Sequence, residues 1–241
     1  MPVTIAEAPG TARPAEHSTS DSPPVGSAAW NDRMYRLTPT PYRGLAGKVE
    51  HARLRQIVRW ARQAAPASVL DVGCGEGVLF GILGRDAQIL GVDLSGDSLR
   101  ASQRLHANSR VVQADGAGGL PFCSHSFNLV VCSEVLEHVP EPAKLIAELW
   151  RVCSQDGWVI LTVPIEGPKL IVKAILRQMR LLNHLLPGIE PGFSAWHLHA
   201  FGPAALRSLL DGCFDVAHSR RVWGLHRCLL LKPLPRSAPQ G

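Results

Sequence analysis

The run Val69-Leu70-Asp71-Val72-Gly73-Cys74-Gly75-Glu76-Gly77 constrains this chain more than any other stretch. An apolar strand carries one acid and then runs into a Gly-x-Gly-x-Gly turn. Glycine accepts positive φ and lets a ligand approach the backbone closely. The run therefore reads as a buried strand, a tight turn and the start of a helix. In a doubly wound sheet such a turn lies at the carboxyl end of the first strand, beside the switch point where ligands bind. A tight turn without a ligand is the plainer reading of the glycines alone.

The strand-turn-helix unit recurs along the chain. Ser68–Val72, Gln88–Asp93, Arg110–Ala114, Phe127–Cys132 and Trp158–Val163 read as strands. Helices are expected near Gly77–Arg85, over Gly96–His106 and over Pro142–Val152. Strands alternating with helices of this length imply βαβ units and a parallel sheet. A helix at Pro203–Leu210 and two more strands, Phe214–Arg221 and Leu225–Lys232, suit an antiparallel hairpin on the sheet edge. The expectation is an α/β fold, doubly wound and mostly parallel, with seven strands. Residues 1–28 are rich in Pro, Ala, Ser, Thr and Gly and are expected to form a disordered tail. Residues 29–66 read as a helical segment, 67–164 as the ligand-binding core, 165–200 as an inserted lid, and 201–233 as the completion of the sheet.

Two further acids end strands on the same edge. Asp93 closes Ile89-Leu90-Gly91-Val92-Asp93-Leu94, where an acid accepts hydrogen bonds from ribose hydroxyls. Asp115 closes Val111-Val112-Gln113-Ala114-Asp115, where it either accepts from an adenine amino group or caps a turn. The glycine spacing departs from the Gly-x-Gly-x-x-Gly of dinucleotide sites. Asp71, two positions before Gly73, would repel a pyrophosphate but suits a cationic ammonium group. These departures weigh against an NAD-dependent oxidoreductase.

Taken in order, LDVGCGEG, GVDLS, VVQADG, LPFCSHSFNLVVCSEVLEHV and ELWRVCSQDGWVILTVP resemble the Rossmann-like S-adenosylmethionine-dependent methyltransferases. The resemblance is to the small-molecule branch that includes ubiquinone- and menaquinone-biosynthesis and natural-product tailoring enzymes. It implies S-adenosyl-L-methionine as cofactor and S-adenosyl-L-homocysteine as product. It places Asp71 and the backbone of Gly73, Gly75 and Gly77 at the methionine portion. It places Asp93 at the ribose, Leu94 against the adenine, and Asp115 with Gly116 at the adenine edge. Ser133 and Glu134 then face the methionine end or the substrate. A protein that binds the nucleoside without catalysis is the competing reading, disfavoured by the intact acids.

An acceptor hydroxyl or amine can need a proton removed, and His138 is the candidate base, on one helical face with Glu134. The plainer reading is a histidine that packs or caps locally. Trp196, His197, His199 and Phe201 are candidate substrate-pocket residues. His197 and His199 lack a third ligand nearby in sequence, so no metal is expected. No Cys-x-x-Cys pair, apolar leader or run of about 18 apolar residues occurs, so a reduced, cytoplasmic setting is expected. The net charge of +5 is scattered, and aromatics are too few for a nucleic-acid stacking platform. No N/D-P-P-[YFW] signature follows the fourth strand, as in amino-methylating DNA enzymes. The acceptor is thus expected to be a small molecule, with no nucleic acid. Between 168 and 187, Lys169, Lys173, Arg177 and Arg180 form a basic stripe on an apolar background. It is either a packed lid or a lid that also touches a membrane or a lipophilic substrate. Oligomeric state and acceptor identity are not set by the sequence.

Overall fold

The computed structural model describes residues 23–37, 44–84, 87–167 and 197–235. Seven strands form one sheet: β1 (Ser68–Val72), β2 (Gln88–Asp93), β3 (Arg110–Gln113), β4 (Phe127–Ser133), β5 (Cys153–Pro164), β6 (Phe214–Val222) and β7 (His226–Pro233). Their order is β3-β2-β1-β4-β5-β7-β6. The first five are parallel, and β7 runs antiparallel to both β5 and β6. The chain leaves β1 toward β3, then returns to lay β4 on the other side of β1. That reversal opens a crevice at the carboxyl ends of β1 and β4.

Strand alternation sorts side chains onto two faces. Leu70, Val72, Val130, Cys132, Val159, Leu161, Leu229 and Leu231 join one core, with helices α5 (Pro142–Val152) and α6 (Pro203–Leu210) packed on it. Val69, Leu129, Val131, Ile160, Cys228 and Leu230 join the other, under α2 (Gly44–Ala64) and α3 (Val78–Leu83). Helix α2 presents Leu54, Ile57, Trp60 and Ala61 at helical spacing, and Ile57 is fully buried. Helix α1 (Ala28–Leu37) lies across α4 (Gly96–Leu105).

Two details differ from the sequence reading, and the C-terminal hairpin forms antiparallel at the sheet edge as expected. The fifth strand starts at Cys153 rather than Trp158, because α5 runs straight into it and a register shift between Phe127 and Leu129 absorbs the extra residues. Within that hairpin the returning strand is interior. β7, with Cys228-Leu229-Leu230-Leu231, is buried between β5 and β6, and the polar β6 takes the edge. A separate helix, α1, precedes α2. The expected tail falls mainly outside the described residues, as do Trp196, the stretch 168–187 and most of the expected lid. Among the described residues no helix is long and apolar enough to cross a membrane.

Candidate active site

The glycine turn is held by neighbours as well as by its own conformation. Gly73 has φ +75°, and a Cβ there would collide with Val135 Cγ2. The Gly73 and Cys74 amides both donate to the Val92 carbonyl, at 2.7 and 3.0 Å. Gly77 serves a different purpose: a Cβ would run into Ser102 Oγ and the Phe80 ring, so it lets α3 and α4 pack closely.

Above the turn lies a cavity of ≈ 310 Å³. Gly73 and Gly75, Asp93 and Leu94, Asp115 and Gly116, and Glu134 and His138 all line it. Eight of the expected site residues thus converge from four loops at one sheet edge. Asp71, Gly77 and Ser133 are not on the wall. A hollow of ≈ 380 Å³ at the other end of β1 is lined mainly by Ala61, Ala65, Pro66, Val69, Leu83 and Ala87 and offers little chemistry.

Asp93 is fixed on both oxygens. Oδ2 accepts from the Gly75 amide at 2.8 Å, and Oδ1 from the Ser95 amide at 2.8 Å and Ser98 Oγ at 3.3 Å. Burial pushes its carboxyl up, and these donors oppose the rise. Asp115 is exposed and accepts from the Ala117 amide at 2.9 Å, so it caps its own turn while lining the cavity. Asp71 is only 4% exposed. Burial, then the nearby Asp93, pushes its carboxyl up to about 7 against the pull of Arg53.

The sequence reading missed the roof. Asn31 and Tyr35 of α1 line the cavity. Asp32 Oδ1 accepts from Ser95 Oγ at 2.6 Å and the Asp97 amide at 3.0 Å, and Arg36 pairs with Asp97 at 2.6 Å. Tyr35 donates to Glu76 at 2.7 Å; burial and that carboxylate push its hydroxyl up to about 12. It also missed a polar cluster under Glu134. Glu134 Oε1 accepts from Thr162 Oγ1 at 2.9 Å, and Oε2 lies 3.0 Å from His226 Nδ1. Ser133 Oγ contacts Thr162 Oγ1 at 2.9 Å and accepts from Arg53 Nη1. Polar residues that interrupt otherwise apolar strands, near the carboxyl ends of β4 and β5 and at the start of β7, are the signal for this cluster.

The histidines fall in two groups. His138 and His197 pack edge to face, with ring centroids 4.9 Å apart. The fold brings Glu137 to them: one donor atom from each of Glu137, His138 and His197 lies within 4.8 Å of the others. This group is not the His197 and His199 pair of the sequence, because His199 lies outside it. Glu166 Oε1 stands 2.8 Å from His197 Nδ1. His199 instead faces the Val139 carbonyl at 3.1 Å, and Phe201 packs on the core. Neither lines the cavity.

Residues 70–161 match a family described as the methyltransferase domain. A "Ubiquinone biosynthesis O-methyltransferase" of Albidiferax ferrireducens is 33% identical over 183 residues, covering 70% of this chain and 69% of that protein. A protein of the same name from Leptothrix cholodnii is 32% identical, covering 72% and 74%. Among solved structures, magnesium protoporphyrin IX methyltransferase from Synechocystis PCC 6803 with bound SAH superposes with a TM-score of 0.58 at 21% identity, covering 85% of this chain and 94% of that one. The PH0226 protein of Pyrococcus horikoshii OT3 reaches 0.64 at 18% identity, covering 84% and 99%. With the sheet order, the glycine turn and the acid-lined cavity, these likenesses establish that the chain belongs to the Rossmann-like S-adenosylmethionine-dependent methyltransferases and methylates a small molecule.

Proposed function

We propose that the enzyme methylates an oxygen atom of a small, lipophilic acceptor of the kind handled in ubiquinone biosynthesis. The relatives' name suggests the chemistry, and the observation that carries it is that His138 and Glu134 both line the cavity. Asp93 would accept the ribose hydroxyls with the lone pairs that its backbone donors leave open. Leu94 would pack on the adenine, with Asp115 and Gly116 at its edge. The backbone of Gly73 and Gly75, with Glu134, would hold the methionine end, while Asp71, Gly77 and Ser133 support that wall from behind. The bound cofactor supplies a methyl already activated on a sulfonium. The protein's work is then alignment, exclusion of water and removal of one proton. His138 would take the proton of the acceptor hydroxyl, with the His197 ring packed against it.

A second reading comes from the donor atoms at His138. Glu137, His138 and His197 could hold one divalent ion, which would acidify an acceptor hydroxyl so that solvent water could take its proton. Dialysis against EDTA, followed by add-back of Mg²⁺ or Zn²⁺, separates the readings. Turnover that survives chelation leaves His138 as base; turnover restored only by metal assigns the metal.

The division into a core at 67–164 and an acceptor-specific insertion at 165–200 is part of this proposal. Deleting 168–187 should spare S-adenosylhomocysteine binding and abolish methyl transfer, and salt-sensitive flotation with anionic vesicles would support a membrane contact there. The test of the whole is labelled methyl transfer to phenolic and catechol acceptors, with the product atom identified by NMR. A methyl found on nitrogen or carbon would overturn the oxygen assignment.

A further inference from the structure

The cavity wall at Glu134 rests on side chains that the transfer itself does not use. Alternation along four strands ends each apolar column facing α2 in a polar residue. Val69 leads to Asp71, Leu129 and Val131 to Ser133, Ile160 to Thr162, and Leu230 and Cys228 back to His226. Helix α2 answers with Glu50 and Arg53, one turn before its apolar stripe. Thr162 and His226 are 0% and 2% exposed, and Arg53 is buried too.

These groups make a directed chain that ends on Glu134. Arg53 donates to Ser133 Oγ. Thr162 spends its one proton on Glu134 Oε1, so Ser133 donates to Thr162. On the other oxygen of Glu134, His226 Nδ1 is the donor. Behind the imidazole, Glu50 Oε1 stands 3.4 Å from Nε2, and Glu50 Oε2 accepts from Arg53 Nε and Nη2 at 3.0 and 2.6 Å. The Glu134 amide donates to the Thr162 carbonyl at 3.1 Å, and its backbone sits at φ +57°. A non-glycine residue holds that conformation only where its surroundings fix it.

We infer that His226, backed by Glu50, is a positioning residue for Glu134, and that Glu134 is the carboxylate that receives the ammonium group of the cofactor's methionine end. This rests on the placement of the cofactor under Proposed function. Asp71 is the other acid at that end, but it is buried behind the wall with Arg53 beside it. Glu134 is the one that reaches the cavity, with its side chain 20% exposed. Thr162 and His226 hold its two oxygens from below, and a carboxylate oxygen accepts more than one hydrogen bond.

The test compares two ligands by titration calorimetry on the full chain. S-adenosylhomocysteine carries the amino-acid end; 5′-methylthioadenosine has the same nucleoside and thioether without it. Glu134→Gln and His226→Leu should each weaken S-adenosylhomocysteine about 10-fold or more, the scale of a lost hydrogen bond to a charged group. Both should leave methylthioadenosine within about twofold. His226→Asn, whose amide puts a donor where Nδ1 stands, should restore binding. The double variant should be no weaker than Glu134→Gln alone, because the two act as one unit. Equal losses for both ligands, or unchanged S-adenosylhomocysteine affinity in folded Glu134→Gln, would overturn the inference. That variant decides the matter even if His226→Leu does not fold. An unaltered chain that binds neither ligand would overturn the cofactor placement itself.

Discussion

Replacing Asp71 with Asn should stabilise the fold above neutral pH and do little below pH 4. The carboxyl is fully buried at the end of β1, and burial with Asp93 raises it from 3.8 to about 7. The unfolded chain therefore gives up this proton about three pH units before the folded one. Below 3.8 both states hold the proton and the residue costs nothing electrostatically. Between 3.8 and about 7 the folded state binds more protons, so stability falls as pH rises. Above about 7 the loss is complete. At about 1.4 kcal/mol per pH unit it amounts to roughly 4 kcal/mol, an upper bound because the site relaxes. Asn is nearly isosteric and never ionises, so the variant escapes the loss. Arg53 keeps Glu50 and Ser133 as partners, so the substitution does not isolate a buried cation. Thermal unfolding of both proteins from pH 4 to 8.5 should give curves that diverge through pH 4–7. At the alkaline end the variant should melt up to about 10 °C higher. A constant difference in Tm across that range would refute the reasoning, because it would mean that Asp71 does not titrate between the two states.

Gly73→Val should destabilise the fold by about 2–5 kcal/mol in a denaturant titration, because a β-branched residue resists the turn's positive φ and its Cβ collides with Val135. His138→Ala should keep S-adenosylhomocysteine affinity and lose about 100- to 10,000-fold in kcat if the residue is the base; full turnover would make it a packing residue. Tyr35→Phe should cost about 1.5–3 kcal/mol or less of stability through the lost bond to Glu76 and should speed cofactor release, measured by stopped-flow fluorescence.

The parts of the site legible in the sequence are those built from neighbours in the chain. Gly73 and Gly75 announce a turn, and Asp93 and Asp115 end strands that a parallel sheet must bring to one edge. The parts that stayed hidden join residues far apart. Tyr35 meets Glu76 across 41 positions, and His226 meets Glu134 across 92. Helix α1 carries no wide apolar face to announce where it docks; Asp32 and Arg36 place it by polar contacts. The His226 cluster left a trace, since Ser133, Thr162 and His226 each break an apolar column at the same end. Reading it requires knowing that β7 lies beside β5, and that order depends on which strand of the hairpin can be buried. The apolar Cys228-Leu229-Leu230-Leu231 against the exposed Ser219-Arg220-Arg221 decides it.

The most direct test of the central claim is calorimetric titration of the protein and its Asp93→Ala variant with S-adenosylmethionine, S-adenosylhomocysteine and NAD. The unaltered protein should bind the first two and not NAD. A folded Asp93→Ala should bind each at least about 10-fold more weakly, because charge-assisted bonds to the ribose are gone. Binding of NAD in preference, or an Asp93→Ala variant with full affinity for S-adenosylhomocysteine, would contradict the placement of the cofactor in this cavity.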